Sequence, residues 1–130
     1  MNKQKIVPVL LVDDHAMLRR ELHTVLDSYD DIQVVGEGRD GVEAVWLVGE
    51  LEPQVVVMDI NMPNMNGIEA TAHIKMHKPD IAVVGISIDN SAASSEAMKQ
   101  AGAVTVIGKS TTVEQLHDAI LQAVTRVIPS

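Results

Sequence analysis

Cysteine is absent from this chain, which excludes disulfides, thiol nucleophiles and thiolate metal sites. Phenylalanine is absent too, and aromatics make up only 2% of the residues. The core must therefore be packed from Val, Ile, Leu, Met and Ala, within a hydrophobic content of 46%. Positive charge is scarce: 10 Lys and Arg face 18 Asp and Glu, for a formal net charge of -8. A phosphate backbone is held mainly by Lys and Arg, so direct binding to nucleic acid or an anionic membrane is not expected. No run nears the roughly 18 apolar residues of a membrane span. The opening residues MNKQK lead into no secretory signal, and a cytoplasmic location is expected. None of the five histidines is expected at the tight paired spacing of a structural zinc site. A phosphate loop is excluded as well, because Ala103 stands where the first glycine of a motif ending in Gly108, Lys109 and Ser110 would be.

At 130 residues the chain has the length of a single domain. Residues 1–5 are expected to be frayed, and no output domain is expected. The apolar run Val55–Met58 ends in Asp59, and Ile6–Val12 ends in the pair Asp13 and Asp14. Runs of this kind between helix-like segments predict buried strands of a parallel sheet. Pro8 favours an edge place or a position in the first residues of the first strand, with Val9–Val12 still able to pair after it. A helix over Ala16–Ser28 is predicted, with Leu18, Leu22, Val25 and Leu26 inward and Arg19, Arg20, Glu21 and His23 facing water. Asp14 is a candidate N-cap or pre-cap residue for it. Further strands are predicted at Ile32–Gly36, Ile81–Ile88 and Ala103–Ile107. Helices follow Asp40, span Ile68–His77 and Ser91–Gln100, and close the chain from Thr112 to Val127. Trp46 is expected to be partly buried on its helix. The helix at Ser91–Gln100 has only Ala92, Ala93, Ala97 and Met98 to bury and should be lightly held. Strand and helix alternate five times, which implies an open parallel sheet covered on both faces.

Residues with chemistry fall at strand ends: Asp13, Asp14, Asp59, Ser87 and Lys109. In a parallel sheet those ends share one crevice. Clustered carboxylates repel one another and call for a cation, and Mg²⁺ is satisfied by oxygen ligands. A lysine opposite them can contact a phosphoryl oxygen. Asp59 is then a metal ligand alone, or also a nucleophile forming an aspartyl phosphate. Each residue alone has a plainer reading as a helix cap, a turn hydroxyl or a surface lysine; the conjunction carries the case. A Mg²⁺-dependent phosphoester hydrolase would need a substrate-covering cap, and the chain has no insert long enough for one.

The segments LLVDDHAMLRREL, VVVMDINMPNMNGIEAT and GAVTVIGK, together with the strand ending at Ser87, resemble the receiver domain of two-component response regulators, over essentially the whole chain. The closest likeness is to the subfamily with LuxR-type helix-turn-helix output domains. The resemblance implies a flavodoxin-like (βα)5 three-layer sandwich with strand order 2-1-3-4-5. It implies phosphorylation of Asp59 by a sensor histidine kinase or phosphotransfer protein, with the chain catalysing its own phosphotransfer and autodephosphorylation. Asp13, Asp14, Asp59 and the Asn61 carbonyl would hold Mg²⁺, with Mn²⁺ as an alternative ion. Ser87 and Lys109 would contact the phosphoryl group, and Asn61 and Asp89 would modulate its lifetime. Homodimerisation and a DNA-binding output domain on a longer chain are the implied consequences. Two positions depart from the family pattern. Val106 stands where a Tyr or Phe usually turns inward, which predicts a modest switch. Ser110 stands where proline often follows the lysine, and a cis bond before a non-proline residue costs about 2.5–4 kcal/mol. The rival reading is a phosphate-independent pseudo-receiver acting as a protein-interaction module.

Overall fold

The sheet is built from runs with little but Val, Ile, Leu and Met to offer, and alternation along each run divides the core in two. A computed structural model describes residues 5–88 and 91–127, with side chains through residue 125. Elements alternate as β1 (Val7–Val12), α1 (Ala16–Asp27), β2 (Ile32–Gly38), α2 (Gly41–Leu51), β3 (Val55–Asp59), α3 (Gly67–His77), β4 (Ala82–Ser87), α4 (Ala92–Ala101), β5 (Thr105–Gly108) and α5 (Val113–Val127). All strand pairs are parallel, in the order β2-β1-β3-β4-β5. Val9, Leu11, Val55, Val57, Ala82, Val84 and Ile86 face α1 and α5, where Leu26, Leu116, Ile120 and Ala123 close over them. Leu10, Val12, Val56, Met58 and Val83 face the other layer, against Ala44, Val48, Ala70, Ile74 and Met98. Each fully buried side chain of this size contributes about 1.5–3 kcal/mol.

Of the two places Pro8 favours, the structure shows the second: it is among the first residues of β1, which lies between β2 and β3. The ladder to β3 begins at Val9 opposite Val55, so no β3 residue in it requires an N–H from Pro8, and the Pro8 carbonyl still accepts from Gln54 N at 2.8 Å. Two expected faces were misplaced. Arg19 is buried and Val25 is 40% exposed: the inward stripe runs through positions 19, 22 and 26. Trp46 is 63% exposed, so it is not a core residue of α2. His15 is the N-cap of α1, which leaves Asp14 at the pre-cap position.

Helix boundaries have local causes. Asp40 Oδ1 accepts from Glu43 N at 2.9 Å to cap α2, and Asn66 and Glu69 form a capping box at the start of α3. Gly102, at φ 124°, ends α4, which buries Met98 alone. All described peptide bonds are trans, including Lys109–Ser110. Gly67 has a stricter cause: a Cβ there would collide with the backbone carbonyl of Asp59. Gly67 N also donates to Ile60 O at 2.8 Å, folding the loop back under the end of β3. Gly67→Ala is therefore expected to cost on the order of 3 kcal/mol and to displace Asp59. Chemical denaturation, together with the Asp59 amide resonance, checks both parts.

Candidate functional site

Backbone register brings the chemical residues to one end of the sheet. Asp13 leaves β1 with its N–H bonded to Gly38 O at 3.0 Å. Asp59 is the last residue of β3, opposite Ile86. Ser87 ends β4 opposite Gly108, and its carbonyl accepts from Lys109 N at 2.8 Å. Asp13, Asp59 and Ser87 are each 2% exposed. Lys109 Nζ stands 2.9 Å from Asp13 Oδ2 and 3.3 Å from Asp59 Oδ2. Those ion pairs lack hydrogen-bond geometry, and both carboxylate oxygens are buried without a hydrogen bond.

One ammonium therefore answers two buried carboxylates, with Asp14 beside them. The imbalance shows in their acidities. Burial, reinforced by the charge of Asp13, pushes Asp59 up to about 6. Burial also acts on Asp13, but the hydrogen bond from His15 N and the approach of Lys109 outweigh it and hold this carboxyl below its usual range. Oxygen atoms of Asp13, Asp14 and Asp59 and a ring nitrogen of His15 lie within 4.8 Å of one another. Buried, unsatisfied carboxylate oxygens in such a group fit a hard divalent cation.

Asp13, Asp14, Asp59 and Lys109 converge as the sequence predicts, and Ser87 closes the β4 side. Asn61 is exposed in the loop two residues beyond Asp59. Val106 is not at the acid cluster: it pairs with Gly85 inside the sheet and packs against the α2–α4 layer. Gly85 makes room there, since a Cβ on it would press on Met98 and Val106 at 3.1 Å. Asp89 lies outside the described residues. The expectation about histidine spacing is corrected: His73 and His77 stand four apart on α3, with rings stacked at 4.4 Å. Among the described residues no third ligand joins them, so the pair does not make a four-ligand zinc site.

Sequence reasoning missed two contributors. His15 is held against the acids, with its N–H donating to Asp13 Oδ1 at 2.8 Å and Nδ1 at 2.9 Å from the same oxygen. Its signal was its place directly after the acid pair. Arg19 reaches back from α1: Nη1 donates to Asp13 O at 2.5 Å and Nε to Glu37 Oε1 at 2.6 Å. His23 Nδ1 lies 2.6 Å from the second Glu37 oxygen. Arg19 thus fixes the turn that aims Asp13, braced by the end of β2. Its signal was its fit to the spacing of Leu22 and Leu26, which its charge concealed. Arg19→Met is expected to lower stability by about 2 kcal/mol, below the cost of breaking a fully buried pair because Glu37 is part-exposed. The same change is expected to weaken cation binding at Asp13; urea denaturation and calorimetric Mg²⁺ titration test the two effects.

Comparison with known proteins agrees with this geometry. Residues 9–121 match the family model described as the response regulator receiver domain. The transcriptional regulatory protein LiaR of Bacillus subtilis is 39% identical over 120 residues, covering 91% of this chain and 56% of that protein. The protein-glutamate methylesterase/protein-glutamine glutaminase of Thermotoga maritima is 43% identical over 107 residues, covering 81% of this chain and 31% of that protein. The chain thus spans a third to about half the length of these curated relatives. A LuxR-family two-component response regulator from Aurantimonas sp. SI85-9A1 superposes with a TM-score of 0.89 at 30% identity, over 94% of this chain and 87% of that one.

Proposed function

Because the chain belongs to the response regulator receiver domain family, we propose that Asp59 is its phosphoacceptor and that phosphorylation controls an output, transcriptional in the manner of its LuxR-family relatives. The observation that carries this reading is the convergence of Asp59 with Asp13, Asp14 and Lys109 at the carboxyl ends of the strands.

In the proposed reaction an ionised Asp59 oxygen attacks the phosphorus of a phosphohistidine on a kinase or phosphotransfer protein. An O–P bond forms, the N–P bond breaks, and the imidazole departs with the bonding pair and takes a proton. Asp13 and Asp14 would hold a divalent cation, which would supply charge neutralisation for the phosphoryl oxygens. Lys109 and the Ser87 hydroxyl, at the ends of β5 and β4, would meet the remaining phosphoryl oxygens. Hydrolysis returns Asp59 when water attacks the same phosphorus and inorganic phosphate departs, at a rate that Asn61 and Asp89 are proposed to modulate.

The output is a change of population. The phosphoryl group draws Ser87 and Lys109 together, and the α4–β5 face responds because Met98 alone anchors α4 in the core. Val106 cannot sweep the surface an aromatic would, so the shift is modest. A change of self-association on that face, or release of an output domain on a longer chain, follows.

Acetyl phosphate with Mg²⁺ tests the reading by intact mass and size-exclusion chromatography on the wild type and Asp59→Asn. The wild type should gain the mass of one phosphoryl group and elute differently, and the variant should do neither. Mass gain without any change in assembly or in α4 amide shifts would favour the phosphate-independent interaction module. No mass gain would sink phosphosignalling altogether.

A further inference from the structure

We propose that His15 supplies a nitrogen ligand to the cation pocket, so that this receiver takes Mn²⁺ and other borderline first-row cations in preference to Mg²⁺. The proposal rests on the reading of the acid cluster as a cation site and adds a ligand to it.

Three donors already gather around a positive charge. Lys109 Nζ lies 2.9 Å from Asp13 Oδ2, 3.3 Å from Asp59 Oδ2 and 3.2 Å from His15 Nδ1. Two buried carboxylates and an imidazole thus converge on one ammonium. Nδ1 faces both that ammonium and the carboxylates, and a ring with its proton on Nε2 would offer the Nδ1 lone pair to an ion replacing the ammonium, the form of histidine that binds metals. His15 Nδ1 is also 2.9 Å from Asp13 Oδ1 and 3.3 Å from Asp14 Oδ1. Neighbouring ligands on an octahedron with bonds of about 2.1 Å stand roughly 3 Å apart, so these separations suit donors sharing one ion.

The backbone fixes the imidazole there. His15 is the N-cap of α1 in extended conformation, its side chain makes no capping hydrogen bond, and its N–H is tied to Asp13 Oδ1. The partners of the ring are Asp13, Asp14 and Lys109, so an ion that takes the place of the lysine meets Nδ1 already among the acids, and Asp13 itself is held through its carbonyl by Arg19. A donor set of oxygens alone suits Mg²⁺, which dehydrates reluctantly, whereas imidazole favours metals later in the first row. His15 accordingly acts on which ion is chosen, with the acids setting that an ion binds at all.

Mn²⁺ on the full chain is the probe. Loss of the free-ion electron paramagnetic resonance signal counts bound Mn²⁺, and electron spin-echo modulation detects a directly coordinated nitrogen. The wild type should bind one Mn²⁺ with nitrogen coupling. His15→Gln, which removes the ring without removing a cap bond, should lose the coupling and lower the Mn²⁺-over-Mg²⁺ preference about tenfold, with the circular dichroism spectrum unchanged. Bound Mn²⁺ that is lost in Asp14→Asn yet shows no nitrogen coupling in the wild type would overturn the role of His15 and leave the acid site standing. An unchanged preference in His15→Gln would overturn it equally. Absence of both Mn²⁺ and Mg²⁺ binding would remove the cation site itself, and this inference with it.

Discussion

Asp59→Asn is expected to abolish phosphoryl acceptance and, in the same step, to stabilise the cation-free protein by about 2–3 kcal/mol at neutral pH. The gain follows from the raised pKa of Asp59. The folded Asp59 carboxyl sits at about 6, against an ordinary value of 3.8. The folded state therefore holds the Asp59 proton more tightly than the unfolded state does. The corresponding stability is fully present below about pH 4 and is lost as pH rises through 6. Two units at about 1.36 kcal/mol each set the upper bound on the cost of ionisation at neutral pH. An asparagine carries no charge to desolvate, and its amide can donate toward the unsatisfied Asp13 Oδ2. Urea denaturation without divalent cations should show the wild type gaining stability from pH 7 to pH 5, with the variant flat over that window. Below pH 4 both should lose stability as Asp13, whose folded value is depressed, takes up its proton. Saturating Mg²⁺ should narrow the gap between them at pH 7, because an ion that binds only the folded state stabilises by mass action. A variant no more stable than the wild type would mean that the acid cluster carries no strain.

The fold was legible because its signals are long and redundant. Val55–Asp59 has no polar residue before its acid, and Asp40 and Asn66 announce the helices they cap. Site residues at strand ends could be read because parallel register turns sequence position into spatial position: the ends of β1, β3, β4 and β5 share one edge whatever the intervening helices do. Arg19 and His15 were hidden for a different reason. Arg19 breaks the rule that charge faces water, and it can do so because Glu37 and the Asp13 carbonyl, from segments far off and near at hand, satisfy it together. His15 gains its meaning from Lys109, 94 residues away. Val25 and Trp46 failed in the opposite direction, as apolar residues left on the surface because the helix stripe closes without them. Hydrophobicity alone does not say which of several apolar residues on a helix the core will use.

Lys109→Met is expected to destabilise the cation-free protein by about 3 kcal/mol at pH 7, and the loss should be recovered both by acid and by Mg²⁺. The methionine keeps an apolar stem where Lys109 is 9% exposed, so packing is largely preserved and the charge is the quantity removed. Without the ammonium, Asp13 and Asp59 keep two buried oxygens that no hydrogen bond satisfies. Breaking a buried pair at one partner costs about 3–5 kcal/mol because the surviving charge stays behind. Here the cost is capped near the lower figure, because Asp59, already high, can take up a proton in place of the lost lysine. That escape predicts the pH dependence: the deficit relative to the wild type should shrink between pH 7 and pH 5, where proton uptake replaces the ammonium. Mg²⁺ should do the same at constant pH, by placing positive charge between the same oxygens. A deficit that ignored both pH and Mg²⁺ would assign Lys109 to packing. A deficit answering to either would establish that the three acids near the ends of β1 and β3 are held together by whichever cation is at hand. The wild-type lysine would then fill that place until a cation and a phosphoryl group arrive to share it.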